Sequence, residues 1–162
     1  MSYAKFAAMI LTSTIVMFGL MYLNTYAADH IFFSQTRMWM ALLMGAAMAV
    51  VMMGFMYRMY ESAAMNAAVL LGGVVVFAGA LWLVRSQATV GDVSYMKAMI
   101  PHHSIAVLTS TRAGIRDPRV RDLADRIIEA QVREIAEMKQ LIGELEATPP
   151  PPEAPLLRPR AP

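Results

Sequence analysis

Three runs of almost unbroken apolar residues, at about 4–23, 38–57 and 65–84, dominate the first half of the chain. Each is close to the length a helix needs to cross about 30 Å of hydrocarbon at about 1.5 Å per residue. Lys5 is the one charge in the first run, and the other two carry none. A cleaved leader would account for the first run alone, with "YAA" at 26–28 as a faint processing site. Three runs together predict a multi-pass membrane domain over residues 1–85. Ala41, Gly45 and Ala49, and then Gly72, Gly73 and Gly79, supply the small side chains that let helices approach closely in lipid.

Beyond residue 85 the pattern changes to the three-four spacing of amphipathic helices. "SQATVGD" reads as a linker, with Asp92 as N-cap of a helix running to about Ala113 and stopping at Gly114. Asp117 is the next N-cap, with Pro118 at the first position of a helix reaching about Glu146. Pro101 lies inside the first of these helices, where it removes one backbone hydrogen bond and predicts a kink. The end, "ATPPPPEAPLLRPRAP", is too rich in proline to pack a core and reads as an extended tail over 148–162. The expected fold is therefore all-α: three transmembrane helices, then a two-helix antiparallel hairpin over residues 86–147.

Each hairpin helix has an interrupted apolar stripe. In the second, Val120, Ala124, Ile127, Gln131, Glu134, Met138, Leu141 and Leu145 share a face, with Gln131 and Glu134 as polar breaks. In the first, Tyr95, Met99, His102, Ala106 and Thr109 form one stripe, and Met96, Met99, His103 and Ala106 its neighbour. Equal rise per residue from the turn brings His102 and His103 level with Gln131 and Glu134, and Met99 near Met138. Buried polar groups are costly unless they are hydrogen-bonded or bind something. The facing breaks are thus either a hydrogen-bonded device fixing register or half of a metal site. Imidazole and thioether suit copper, with thioether favouring the cuprous state, and a carboxylate widens the choice toward cupric copper or zinc.

Charge and composition narrow the classes. A formal net charge of +2, with no basic stripe interleaved with aromatics, argues against nucleic acid as a partner. The absence of cysteine excludes disulfides and thiolate sites, which suits an oxidising compartment where soft metals are held by Met and His. Lys5 and Arg58 fall on one side of the membrane and Arg37 and Arg85 on the other, so positive charge does not set the orientation. Of the 16 methionines, 13 lie in the first 65 residues, including Met40, Met44, Met48, Met52 and Met56. A ladder of thioethers is one reading, but a four-residue step winds around the helix, and methionine is a compliant apolar filler. His30 and Asp29, in the first loop, either extend a site at the membrane surface or are ordinary interfacial residues.

The stretch "YMKAMIPHHSIAVLTSTRAGIRDPRVRDLADRIIEAQVREIAEMKQL" resembles domain-of-unknown-function family 305. The shared pattern is Met99, Ile100, His102 and His103, then Leu123 and Ala124, then Gln131, Glu134, Ile135 and Met138, within about residues 92–145. The resemblance implies a ferritin-like helical fold and copper binding outside the cytoplasm through Met and His. Two features depart from it. Thr109 stands where the family usually has a methionine, and the helix pair is present once rather than twice.

The expected function is a membrane-anchored copper-binding protein, a buffer or handover module. Its expected ligands are Met99, His102, His103 and Met138, with Met96, Gln131 and Glu134 as additional or supporting groups. The alternative is a structural or assembly protein whose His/Gln/Glu seam fixes a dimeric bundle without metal. No Glu-x-x-His pair, nucleophile constellation or phosphate-binding glycine loop occurs, so no enzymatic activity is expected. The expected setting is the inner or plasma membrane, with the hairpin periplasmic or extracellular. Besides the lipid membrane, a homodimer or larger homo-oligomer, or packing against a partner, is expected to complete the half-bundle, and a copper-handling protein is a candidate exchange partner.

Overall fold

The computed structural model describes residues 2–151 and 153–157. Five helices carry the fold: α1 (Tyr3–Leu20), α2 (Gln35–Met56), α3 (Ala63–Ser86), α4 (Asp92–Arg112) and α5 (Pro118–Ala147). No strand occurs among the described residues. The first three helices are long and apolar enough to cross a membrane. Each begins at a serine whose hydroxyl accepts a backbone N–H three residues on: Ser2 from Lys5, Ser34 from Arg37 and Ser62 from Met65. Such caps satisfy one of the donors that a helix N-terminus leaves free.

Helix α2 lies between α1 and α3 and packs against both. Of the small residues that the sequence singles out, Ala41 and Gly45 are buried. A Cβ added at Gly45 would collide with the Thr14 hydroxyl of α1, and one at Gly73 would lie 2.6 Å from a methyl of Val50. Gly72 and Gly79 meet nothing that close, so only part of the glycine pattern serves packing. At one end Phe6, Met53 and Tyr60 form a small core, with the Tyr3 and Tyr60 rings stacked at 4.8 Å. Met53, wholly buried there, stands outside the four-residue methionine series and acts as filler.

Gln87 ends α3 in the left-handed region (φ 53°), returning its N–H to the Leu83 carbonyl. The chain enters α4 five residues later, at Asp92. Gly91, and not Asp92, occupies the cap position: Asp92 is the first helical residue and no side chain caps this helix. Its carboxylate still sits where the helix dipole favours negative charge. The helix runs on through Pro101, which is buried. Asp117 does cap α5, accepting the Arg119 N–H at 2.8 Å, with Pro118 following it.

Helices α4 and α5 pack as an antiparallel hairpin around Met96, Ile100, Val107, Ile135 and Ile142. The buried seam of α5 differs from the expected stripe. Positions 124, 131, 138 and 145 are in it, but Ile128, Ile135 and Ile142 take the places expected for Ile127, Glu134 and Leu141. Val120 and Leu141 are exposed. The three isoleucines bury more apolar surface than the set they displace, so the buried face is turned by about half a position, about 50°, from the expected one. Glu134 consequently flanks the seam.

The hairpin is not a free appendage. Phe32 of the first loop packs against its core. Ser104, wholly buried, accepts the Tyr26 N–H at 2.7 Å and lies 2.9 Å from His30 Nδ1. Lys139 of α5 donates to Asp29 at 2.6 Å. The first loop and the hairpin therefore lie together at one end of the helical bundle.

Candidate functional site

The seam of the hairpin opens into a cavity of about 420 Å³ lined by residues that the sequence brings into question. Met96, Met99 and His103 come from α4, and Glu134 and Met138 from α5. These positions are one or two turns apart on each helix, so the three-four spacing stacks them on one face. Asp92, Glu137 and Tyr95 complete the polar edge of the wall, and Leu141 and Leu145 the apolar one. The cavity carries three carboxylates and no lysine or arginine. Its field favours a cation.

His103 is the centre of this arrangement and is 9% exposed. Its Nδ1 lies 3.0 Å from the Met99 carbonyl, one turn back along α4. Its Nε2 lies 2.8 Å from Glu134 Oε2 across the seam. A backbone carbonyl only accepts, so Nδ1 carries a hydrogen. A carboxylate also only accepts, so a bare Nε2 could not rest against Glu134. Either a proton closes the contact, as an imidazolium or a protonated carboxyl, or another cation takes its place. The Nδ1 bond fixes the ring so that Nε2 faces the cavity, the arrangement that second partners impose on metal-binding histidines.

The remaining expected residues separate. His102 is exposed and does not line this cavity; it faces a second one, of about 280 Å³, with Ser34, Arg37 and Gln87. Met99 lines both. The two imidazole centroids are 6.0 Å apart. Neighbouring helical positions lie about 100° apart around the axis, which sends adjacent histidines to different sides. Gln131 is half-buried in the seam but lines neither cavity. Thr109, the departure from the expected pattern, is exposed and returns its hydroxyl to the Ile105 carbonyl at 3.0 Å. His30 and Asp29 join the loop contact with Ser104 and Lys139 and do not enter the cavity.

Among the described residues no three His, Asp or Glu side chains form a group that could hold a metal ion. Any ion in this cavity would have to draw on the methionine sulfurs. Three thioethers with one imidazole and one carboxylate make a donor set weighted to the soft end. Asp92 and Glu137 lie outside the expected stripes and carry no motif of their own, whereas Tyr95 belongs to the α4 stripe that holds Met99.

The family model described as "Domain of unknown function (DUF305)" matches residues 83–155. This part of the chain is a DUF305 domain. The match begins in the last turn of α3 and takes in both hairpin helices. An uncharacterized protein of Acanthamoeba polyphaga mimivirus is 41% identical over 66 residues, which make up 40% of this chain and 43% of that protein. The chain thus spans less than half the length of this curated relative. No solved structure matches. Helices α1 and α2 lie outside the DUF305 match.

Proposed function

We propose that this is a membrane-anchored metal-binding protein whose DUF305 hairpin takes up a soft cation, cuprous copper above all, for buffering or handover. The observation that carries this is His103, held between the Met99 carbonyl and the Glu134 carboxylate in a cavity with three methionines. The proton that closes the His103–Glu134 contact and a metal ion compete for the same nitrogen. His103, Met96, Met99 and Met138 are the ligands in this reading. Glu134 is the acceptor released when metal enters, and it balances the charge of the ion. The absence of cysteine and the three apolar helices support an integral membrane protein with the hairpin outside the cytoplasm. A second copy covering the open side of the hairpin, where Tyr95 and Leu141 are exposed, would complete a four-helix bundle.

The His103–Glu134 pair also supports a second reading, an ion pair that fixes hairpin register with no metal involved. Metal titration of the purified full chain in detergent separates the two. Cuprous copper, cupric copper and zinc are titrated against wild type and His103→Ala, with thermal unfolding followed in each state. Cuprous binding that His103→Ala weakens by about 10- to 100-fold supports the metal site. No binding of any of the three, together with a loss of stability in His103→Ala, leaves the ion pair as the role of His103.

A further inference from the structure

The second cavity has the opposite chemistry to the first. It lies where α2 begins, α3 ends and α4 passes over both, and its wall includes Ser34, Thr36, Arg37, Gln87, Met99 and His102. No Asp or Glu lines it. Arg37 is half-buried, and among the described residues no ion pair includes it. One guanidinium nitrogen donates to the Met21 carbonyl at 2.7 Å, and the guanidinium carbon lies 4.6 Å from the Tyr22 ring centroid. Both partners are neutral. A guanidinium has five N–H donors, and a partly desolvated one without a counter-charge is an incomplete arrangement.

The surroundings identify what would complete it. Arg37 stands in the first turn of a membrane-length helix, and Gln87 directly follows the end of another. Between these ends the Trp39 indole donates to Thr89 at 3.2 Å, a placement typical of the boundary between hydrocarbon and water. At that depth the abundant anion is the phosphate of a lipid headgroup. Its oxygens match the planar fork of an arginine, and His102 and the Gln87 amide add donors at the same wall.

We propose that this cavity binds a phosphate group, supplied by an anionic phospholipid, through Arg37 and His102. The two adjacent histidines then serve different sites, His103 a cation and His102 an anion. This assignment rests on the membrane-spanning reading of α2 and α3 and is independent of the metal proposal.

The test uses the delipidated full chain in a maltoside detergent, with bound lipid counted by native mass spectrometry. Dioleoylphosphatidylglycerol is compared with dioleoylglycerol, which has the same tails and no phosphate, and inorganic phosphate forms a third arm. Retention of the phosphatidylglycerol is expected to exceed that of dioleoylglycerol. Arg37→Gln should weaken it about tenfold, the scale of losing a charge-assisted hydrogen bond. His102→Ala should weaken it less. Arg85→Gln, which removes an exposed charge near the same end of α3, should leave it unchanged. If Arg37→Gln does not fold, His102→Glu places a carboxylate in the cavity and should abolish retention. Equal retention of the two lipids, or equal losses in Arg37→Gln and Arg85→Gln, overturns the proposal. Arg37-dependent binding of inorganic phosphate without lipid preference keeps the phosphate chemistry and overturns the lipid source.

Discussion

Ser104 and His30 lie 74 positions apart and meet at 2.9 Å, joining the first loop to the middle of α4. The Tyr26 N–H already donates to the Ser104 oxygen, so the serine hydroxyl hydrogen is free to go to His30 Nδ1. Ser104→Ala removes the acceptor for one group and the donor for the other inside a buried contact. A loss of about 1–3 kcal/mol is expected. Limited proteolysis would show it as faster cleavage within residues 24–34; an unchanged cleavage rate would mean that Phe32 and the Asp29–Lys139 pair hold the loop without it.

The same contact makes the loop sensitive to acid. Burial first, and then the charge of Lys139, hold the His30 pKa below its ordinary value of 6.5, with Asp29 opposing them. A depressed histidine pKa means that the unfolded chain binds the proton more readily than the folded one. Stability is therefore complete above pH 6.5 and falls as pH drops through 6.5 toward the folded-state value. Protonation would also leave the Ser104 hydroxyl hydrogen without its acceptor. Thermal unfolding between pH 7.5 and 5 should show a loss in wild type that is smaller in His30→Gln. Parallel curves for the two would remove His30 as the cause.

Metal binding should share this direction for a different reason. A proton and an ion compete for His103 Nε2, so affinity should fall as pH is lowered. Glu134→Gln replaces the anionic acceptor beside that nitrogen with an amide. Apparent affinity should then fall several-fold as the charge that balances the ion is lost. Isothermal titration at three pH values measures both effects. Unchanged affinity in Glu134→Gln would show that Glu134 does not balance the charge of the ion.

Among the three apolar helices, Gly45→Val should be far worse than Gly72→Val. The first places a branched side chain against Thr14 of α1, whereas a Cβ at Gly72 meets nothing within 4 Å. Close helix contact in lipid depends on such small residues. The readout is the detergent unfolding midpoint of the full chain, with Gly72→Val as reference.

Ile135 is 3% exposed at the centre of the hairpin core, and Ile135→Ala should cost about 2–5 kcal/mol. Ile127→Ala, at the half-buried position that the expected seam used instead, should cost less. Chemical denaturation of the two variants side by side checks this order; equal losses would mean that Ile127 shares the buried seam.

The order of helices was legible because its signals are local: apolar length for α1 to α3, and Asp117, Pro118 and Gly114 as punctuation in the hairpin. The pairing of His103 with Glu134 was also within reach, since equal rise from a short turn sets the level at which two helices meet. Rotation was not. Two stripes on α5 shared residues 124, 131, 138 and 145, and only packing chose Ile128, Ile135 and Ile142 as their companions. On α4 the step of about 100° between neighbours sent His102 away from the cavity that His103 lines. The anchoring of the loop gave no sequence signal, because a single serine with one distant histidine has no periodicity to betray it.

Only residues 87–91 join α3 to α4, while Phe32, His30 and Asp29 hold the hairpin from the other side. Tethered at two points, the cavity with His103 is a fixed berth and not a swinging arm. It cannot reach out into solution to meet a carrier. If the proposed metal exchange takes place there in a membrane, the partner has to come down to the bilayer surface, where a membrane-bound visitor searching in two dimensions has the advantage over a soluble one.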